Sequence, residues 1–226
     1  KNKGLDKSLV LIAKTSVIVF IGMIFSKIFS YLYRVIIARQ FGPEAYGLFS
    51  LALMIYGWFI AIAGLGLSEG LLKYLSTFIG QNQREKIKYV FRSSLLLTGI
   101  IGVVSGLILF LFAELISYKI FNEPSLIIFL KTFSLVIPLT VTFSLFMSSL
   151  RAHEEIKWHS FIYNILLAGS HVVILLLLIW TGVKTDAIIT SYIGGVFISL
   201  LVAFIVTKKK TPKIFEKPNL SKKDRH

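Results

Sequence analysis

Six apolar stretches, each about 20 residues or longer, fix what this chain can fold into. A helix of that length crosses the hydrocarbon layer of a bilayer. In hydrocarbon, backbone N–H and C=O groups must be satisfied within the segment or by a closed sheet. The strict apolar/polar alternation of barrel strands is absent, so helices are the expected solution. Hydrophobic residues make up 55% of the chain and the mean hydropathy is +0.78. A water-soluble body of this size could not cover that much apolar surface. The expected fold is all-α and integral to the membrane, a bundle of six transmembrane helices spanning 9–206.

The first helix is expected over 9–38, stopped by the breaker pair Gly42-Pro43. The second covers 45–79, with a weak point at 64–66. The third covers 90–115, and the fourth 125–150 with Pro138 inside it. The fifth covers 161–182 and the sixth 187–206. Residues 1–8 and 207–226 are polar, basic flanks. Lys1, Lys3, Lys7, Lys73, Arg84, Lys86, Lys88, Arg92, Arg151, Lys157 and the tail from Lys208 to Arg225 fall on one side of this layout. Only Arg39, Lys119, Lys131 and Lys184 fall on the other. By the positive-inside rule both ends of the chain are cytoplasmic, in a multi-pass protein of the plasma membrane. The net charge of +14 is therefore read as topology, and no nucleic-acid partner is expected. The tail reads as a stop-transfer flank or a linker, with lipid-headgroup binding as the weaker alternative. Cysteine is absent, so disulfides and thiolate metal sites are excluded. No cleavable signal sequence is visible, and the chain, which starts at Lys1, is expected to be part of a longer polypeptide.

Polar residues inside the spans carry the functional reading. Lys27 and Arg34 lie seven apart in the first helix, about 10 Å along one face. At 100° per residue they share a stripe with Ser16, Met23, Ser30 and Tyr31. Charges in a span face a partner or a water-filled cavity. No acidic residue sits at mid-depth. Glu69 is the nearest candidate, and Lys73 at i+4 is its expected partner. A hydrated, anion-holding cavity is favoured over a buried ion pair. In the fifth helix Ser160, Asn164 and His171 share a face. His171 is either a substrate or proton-relay group, or a neutral histidine bonded to a neighbouring helix. The stripes Ser94/Thr98/Ser105 and Thr140/Ser144/Ser148 read as glue between helices, and Gly66/Gly70 and Gly194-Gly195 as packing positions. Soluble-enzyme motifs are missing: no phosphate-cradling loop with a lysine, no Gly-x-Ser-x-Gly elbow. His153 and His159 have the wrong spacing for a helical zinc site. No catalysis, cofactor or metal is expected.

Three further segments form a recognisable pattern. Ala38-Arg39-Gln40-Phe41-Gly42-Pro43-Glu44-Ala45-Tyr46-Gly47 follows the first span. Gly64-Leu65-Gly66 ends the core of the second. Leu72-Lys73-Tyr74-Leu75-Ser76 precedes a basic loop. Together with the span order, to about Lys210, this resembles the amino-terminal half of the oligosaccharide-lipid flippases of the multidrug/oligosaccharidyl-lipid/polysaccharide exporter superfamily. The resemblance implies one six-helix lobe of a two-lobed, V-shaped, alternating-access transporter. It implies a polyprenyl-(pyro)phosphate-linked oligosaccharide as substrate, with membrane lipids and a second lobe of the same polypeptide as partners. Relatives that flip the peptidoglycan precursor have a similar Phe-Ser-basic segment, and Lys27 falls at its basic position. Arg34 has no counterpart there. The drug-exporting branch often has an acid in its first helix, and this chain has none. Lys27, Arg34, Ser30 and Tyr31 are thus the expected anion-holding set, with His171, Asn164 and Glu69 as further cavity candidates. Competing readings are a cation-coupled exporter of the same fold, and a membrane scaffold in which Lys27 and Arg34 pair with acids.

Overall fold

The structure, a computed structural model, describes residues 2–64, 66–183 and 186–215, and the side chains among them except 2–12, 14 and 213. Lys1, Lys184, the side chains of Lys3 and Lys7, and the tail from 216 onward lie outside the described residues. The described chain is helical, without a strand. Eight helices are α1 (Asn2–Gln40), α2 (Gly42–Gly64), α3 (Leu67–Gly80), α4 (Arg84–Leu115), α5 (Leu126–Ala152), α6 (Ile156–Ser160), α7 (Leu167–Trp180) and α8 (Ala187–Lys210). Wider π turns extend α4 over Ile116–Phe121 and join α6 to α7 over Phe161–Leu166. Among the described residues six helical stretches are long and apolar enough to cross a membrane: Thr15–Gln40, Gly42–Gly64, Arg84–Phe121, Leu126–Ala152, Ile156–Trp180 and Ala187–Lys210.

The second span differs from the expected single helix over 45–79. It ends at Gly64, and a separate helix, α3, begins at Leu67. Gly66 has φ of 71°, a left-handed conformation that a side chain disfavours, so the chain breaks here instead of bending. The freed segment is amphipathic. Leu71 and Leu75 are buried, while Glu69, Lys73 and Tyr74 on the other side are exposed. Gly66 and Gly70 touch nothing that a methyl group would meet, so they are not the packing positions expected of them.

In lipid, helices gain little from apolar burial alone and associate through close packing and polar bonds. α5 is the central helix: 50% of its most apolar stretch is buried, against 6% for α1. It joins two apolar clusters, one around Phe49, Leu130 and Phe133, the other around Leu75, Phe91 and Leu150. α4 crosses α5 at Gly102 and Gly106, a small-xxx-small pair that the sequence reading overlooked. A methyl on Gly106 would lie 2.5 Å from the Ser134 carbonyl oxygen. Pro138 has no N–H to offer that carbonyl, so the glycine lets α4 close over a bare stretch of backbone. The hydroxyl stripes glue the bundle in part, through Thr140, Ser144 and Ser105, while Thr98 Oγ1 is buried without a partner. Tyr56 Oη lies 2.5 Å from Thr140 Oγ1, Ser68 Oγ 2.8 Å from Ser144 Oγ, and Ser105 donates to the Phe59 carbonyl at 3.2 Å. At one end, Glu69 pairs with Arg151 at 3.3 Å and Glu155 with Lys210 at 3.4 Å. The expected Glu69–Lys73 pair does not form, because Arg151 at the end of α5 reaches across to the carboxylate.

Candidate functional site

Among its described residues α1 is buried at Gly22, Tyr33 and Ile37, and Tyr33 is the polar anchor of the three. Its hydroxyl donates to the Ile188 carbonyl at 3.0 Å and lies 2.9 Å from Ser191 Oγ. A phenol in an apolar interior needs such a partner. Here the partner is the first turn of α8. Packing of Tyr33 edge-on against Phe49 and 5.7 Å from the His171 ring ties α1 to α2 and α7 as well. That anchor sets the rotation of the whole helix.

With Tyr33 turned inward, Ser26, Ser30, Tyr33 and Arg34 face a cavity of about 270 Å³ between α1, α2, α7 and α8. Their spacing is i, i+4, i+7 and i+8, one helical face. The opposite walls are Phe49, Leu53, Tyr163, Leu167, Ala168, His171 and Tyr192. The site is thus one guanidinium and two serine hydroxyls facing a wall of aromatic rings. None of the lining residues is acidic.

His171 forms part of that wall. Its ring stacks on Tyr192 at 4.7 Å, with the planes 17° apart. The stack is possible because residue 195 is glycine: a methyl there would fall inside the imidazole. His171 Nε2 is buried and has no hydrogen-bond partner. Tyr163 enters the cavity from the π turn, where an extra residue per turn rotates the segment between α6 and α7. It is 50% exposed.

The structure brings together three of the expected residues, Arg34, Ser30 and His171. Lys27 and Tyr31 are exposed on a neighbouring strip of α1, outside the cavity lining, and Tyr31 is 69% exposed. Asn164 is buried behind it, donating to Ser160 Oγ at 3.1 Å where both press on Gly22 of α1. Glu69 sits at the end of the bundle with Arg151. Among the described residues neither Lys27 nor Arg34 forms an ion pair. Ser26, Tyr33, Tyr163 and Tyr192 were missed by the sequence reading. The polar spacing Ser26/Ser30/Tyr33 was the available signal for the first two.

An unpaired guanidinium within a span is tolerated when water reaches it, and Arg34 is exposed to the cavity. Arginine presents five N–H donors in a planar fork that matches carboxylate or phosphate oxygens. The serine hydroxyls add donors without adding charge. Chemically the site is an anion receptor with an apolar, ring-lined back.

The model of the polysaccharide biosynthesis protein family matches residues 12–225, and the chain belongs to that family. Among curated proteins and among solved structures, none matches the chain. Six apolar helices and this membership make it a multi-pass membrane protein of polysaccharide biosynthesis.

Proposed function

We propose that this member of the polysaccharide biosynthesis family is one lobe of a flippase. It carries a polyprenyl-(pyro)phosphate-linked oligosaccharide across the plasma membrane by alternating access. The observation that carries this reading is Arg34: a cation without an acidic partner among the described residues, inside a span, on the wall of a polar and aromatic cavity. In a low-dielectric cavity a cation attracts a phosphate far more strongly than it would in water. The guanidinium fork holds the phosphate oxygens and Ser30 and Ser26 donate to what remains. Lys27, one strip away on the same helix, is the second cation, serving the part of the path that the second lobe closes over. The glycan crosses through the cavity while the lipid tail stays in the bilayer. The ends of the lobe carrying Lys73, Arg84, Arg92, Arg151 and Lys208 face the cytoplasm. The protein moves its substrate and does not transform it.

The scaffold reading requires Lys27 and Arg34 to be neutralised by acids, and the cation-coupled exporter requires an acid in the path. Glu69, the acid nearest to serving either, is occupied by Arg151. The deciding test is complementation of a flippase-deficient cell by the full-length gene. Arg34→Ala is expected to abolish rescue, and Arg34→Lys to restore part of it. Full rescue by Arg34→Ala at normal expression overturns the anion-cavity reading.

A further inference from the structure

We infer that Tyr163 is a sugar-stacking subsite at the mouth of the Arg34 cavity, separate from the group that holds the phosphate. The inference rests on the flippase reading above and names which side chain meets the glycan.

Three observations converge on this ring. First, it is offered by the backbone. The π turn over Phe161–Leu166 interrupts the helix between α6 and α7, and such single-turn insertions recur at functional sites. Second, it is held between parallel rings. Tyr163 lies parallel to Phe143, with centroids 6.3 Å apart and planes at 9°. It is likewise parallel to His159, at 5.7 Å and 7°. At these separations the rings are offset rather than eclipsed, and Tyr163 is 50% exposed. Third, it lines the cavity that Arg34 lines. The rings run from His159 through Tyr163 to Phe143, and of the three only Tyr163 is in that wall.

The chemistry of a pyranose matches this arrangement. A sugar ring has a face of C–H groups and a rim of hydroxyls. A preoriented phenol supplies an electron-rich face for the first and a donor/acceptor for the second. It carries no charge, so it does not compete with Arg34 for phosphate. Stacking of this kind is tolerant of sugar identity, because every pyranose has a C–H face. The cavity is thereby divided: Arg34 with Ser30 for the diphosphate, Tyr163 for the first sugars attached to it.

The test uses the full-length protein in lipid nanodiscs and two probes, farnesyl diphosphate and farnesyl-diphospho-N-acetylglucosamine. In the wild type the glycosylated probe binds more tightly. Tyr163→Ala and Tyr163→Leu weaken the glycosylated probe by up to about tenfold, the upper end of ring-stacking energies. They leave farnesyl diphosphate unchanged. Leucine keeps apolar bulk against Phe143, so its effect is not one of folding. Tyr163→Phe retains most of the preference for the sugar. Arg34→Gln weakens both probes alike. Equal binding of the two probes by the wild type, or equal effects of Tyr163→Leu on both, overturns the subsite and leaves the anion cavity standing. Binding indifferent to Arg34→Gln overturns the cavity reading, and the subsite with it.

Discussion

Replacing Gly195 by alanine is expected to destabilise the protein, although the same change in an ordinary helix interior is favourable by about 1 kcal/mol. The reason is the imidazole of His171. An added methyl at residue 195 falls within the ring's own volume, and Cδ2, Nε2 and Cγ are its three nearest atoms. The ring cannot slide along its plane without losing its stack on Tyr192. Overpacking of a tight contact costs about 1–3 kcal/mol. Losing an aromatic stack costs about 0.5–1.5 kcal/mol more. Set against the propensity gain, the net loss is about 1–3 kcal/mol. The prediction has two internal comparisons. Gly194→Ala meets only the flexible end of Ile174, at 3.0 Å, and should be close to neutral. Gly99→Ala meets nothing and should show the propensity gain alone. The decisive measurement is a double-mutant cycle read by denaturant or thermal unfolding in nanodiscs. On a His171→Ala background the methyl has room, so Gly195→Ala should turn neutral or stabilising. The coupling between the two sites should then be about 2–3 kcal/mol. Additivity of the two changes, or a Gly195→Ala protein as stable as Gly99→Ala, refutes the geometry from which the cost is drawn.

Tyr33→Phe removes the hydroxyl shared with the Ile188 carbonyl and Ser191 Oγ. It should cost about 1–2 kcal/mol and speed amide exchange in the first turn of α8. Gly66→Ala should destabilise by about 1–2 kcal/mol through its left-handed φ of 71°. No clash contributes, so the loss should be the same in any background. Glu69→Gln breaks an exposed ion pair with Arg151 and should change stability by less than about 1 kcal/mol, with transport retained. Loss of transport in that variant would revive the cation-coupled reading. Since the chain contains no cysteine, single cysteines report access cleanly. Arg34→Cys and Lys27→Cys should both react with a membrane-impermeant thiol reagent, from the side to which the cavity opens. Failure of both to label in every state would place the two positions out of water and against the flippase reading.

Most of the architecture was legible because membrane helices are dictated by a single physical demand. Runs of apolar residues must satisfy their own backbone, so span number follows from hydropathy. The errors occurred where hydropathy is silent. The stretch over 45–79 stays amphipathic or apolar throughout; the weak point at 64–66 was legible, and the left-handed Gly66 shows that it is a full break. The ends of α4 and of the fifth span were placed too far inward or outward. Polar residues at 84–89 and 156–160 continue the helix into the headgroup region, where composition no longer distinguishes helix from loop.

The site was half legible for a different reason. A helical wheel ranks positions by angle but carries no absolute orientation. It grouped Lys27, Ser30, Tyr31 and Arg34, which do neighbour each other. The structure selects a face centred about 80° away, at Ser26, Ser30 and Tyr33. The selection is made by Tyr33, whose hydroxyl finds its partners on α8. No local signal in α1 states that those partners exist, since Ile188 and Ser191 are more than 150 residues away. Lys27 and Arg34 are only about 20° apart on the wheel. Arg34 is the nearer to the selected face and lines the cavity while Lys27 does not, so a small rotation decides which cation does. The relative weight of the two cations is therefore set by a hydrogen bond that involves neither. Moving Tyr33 should shift the anion's preference between Arg34 and Lys27 before it abolishes binding.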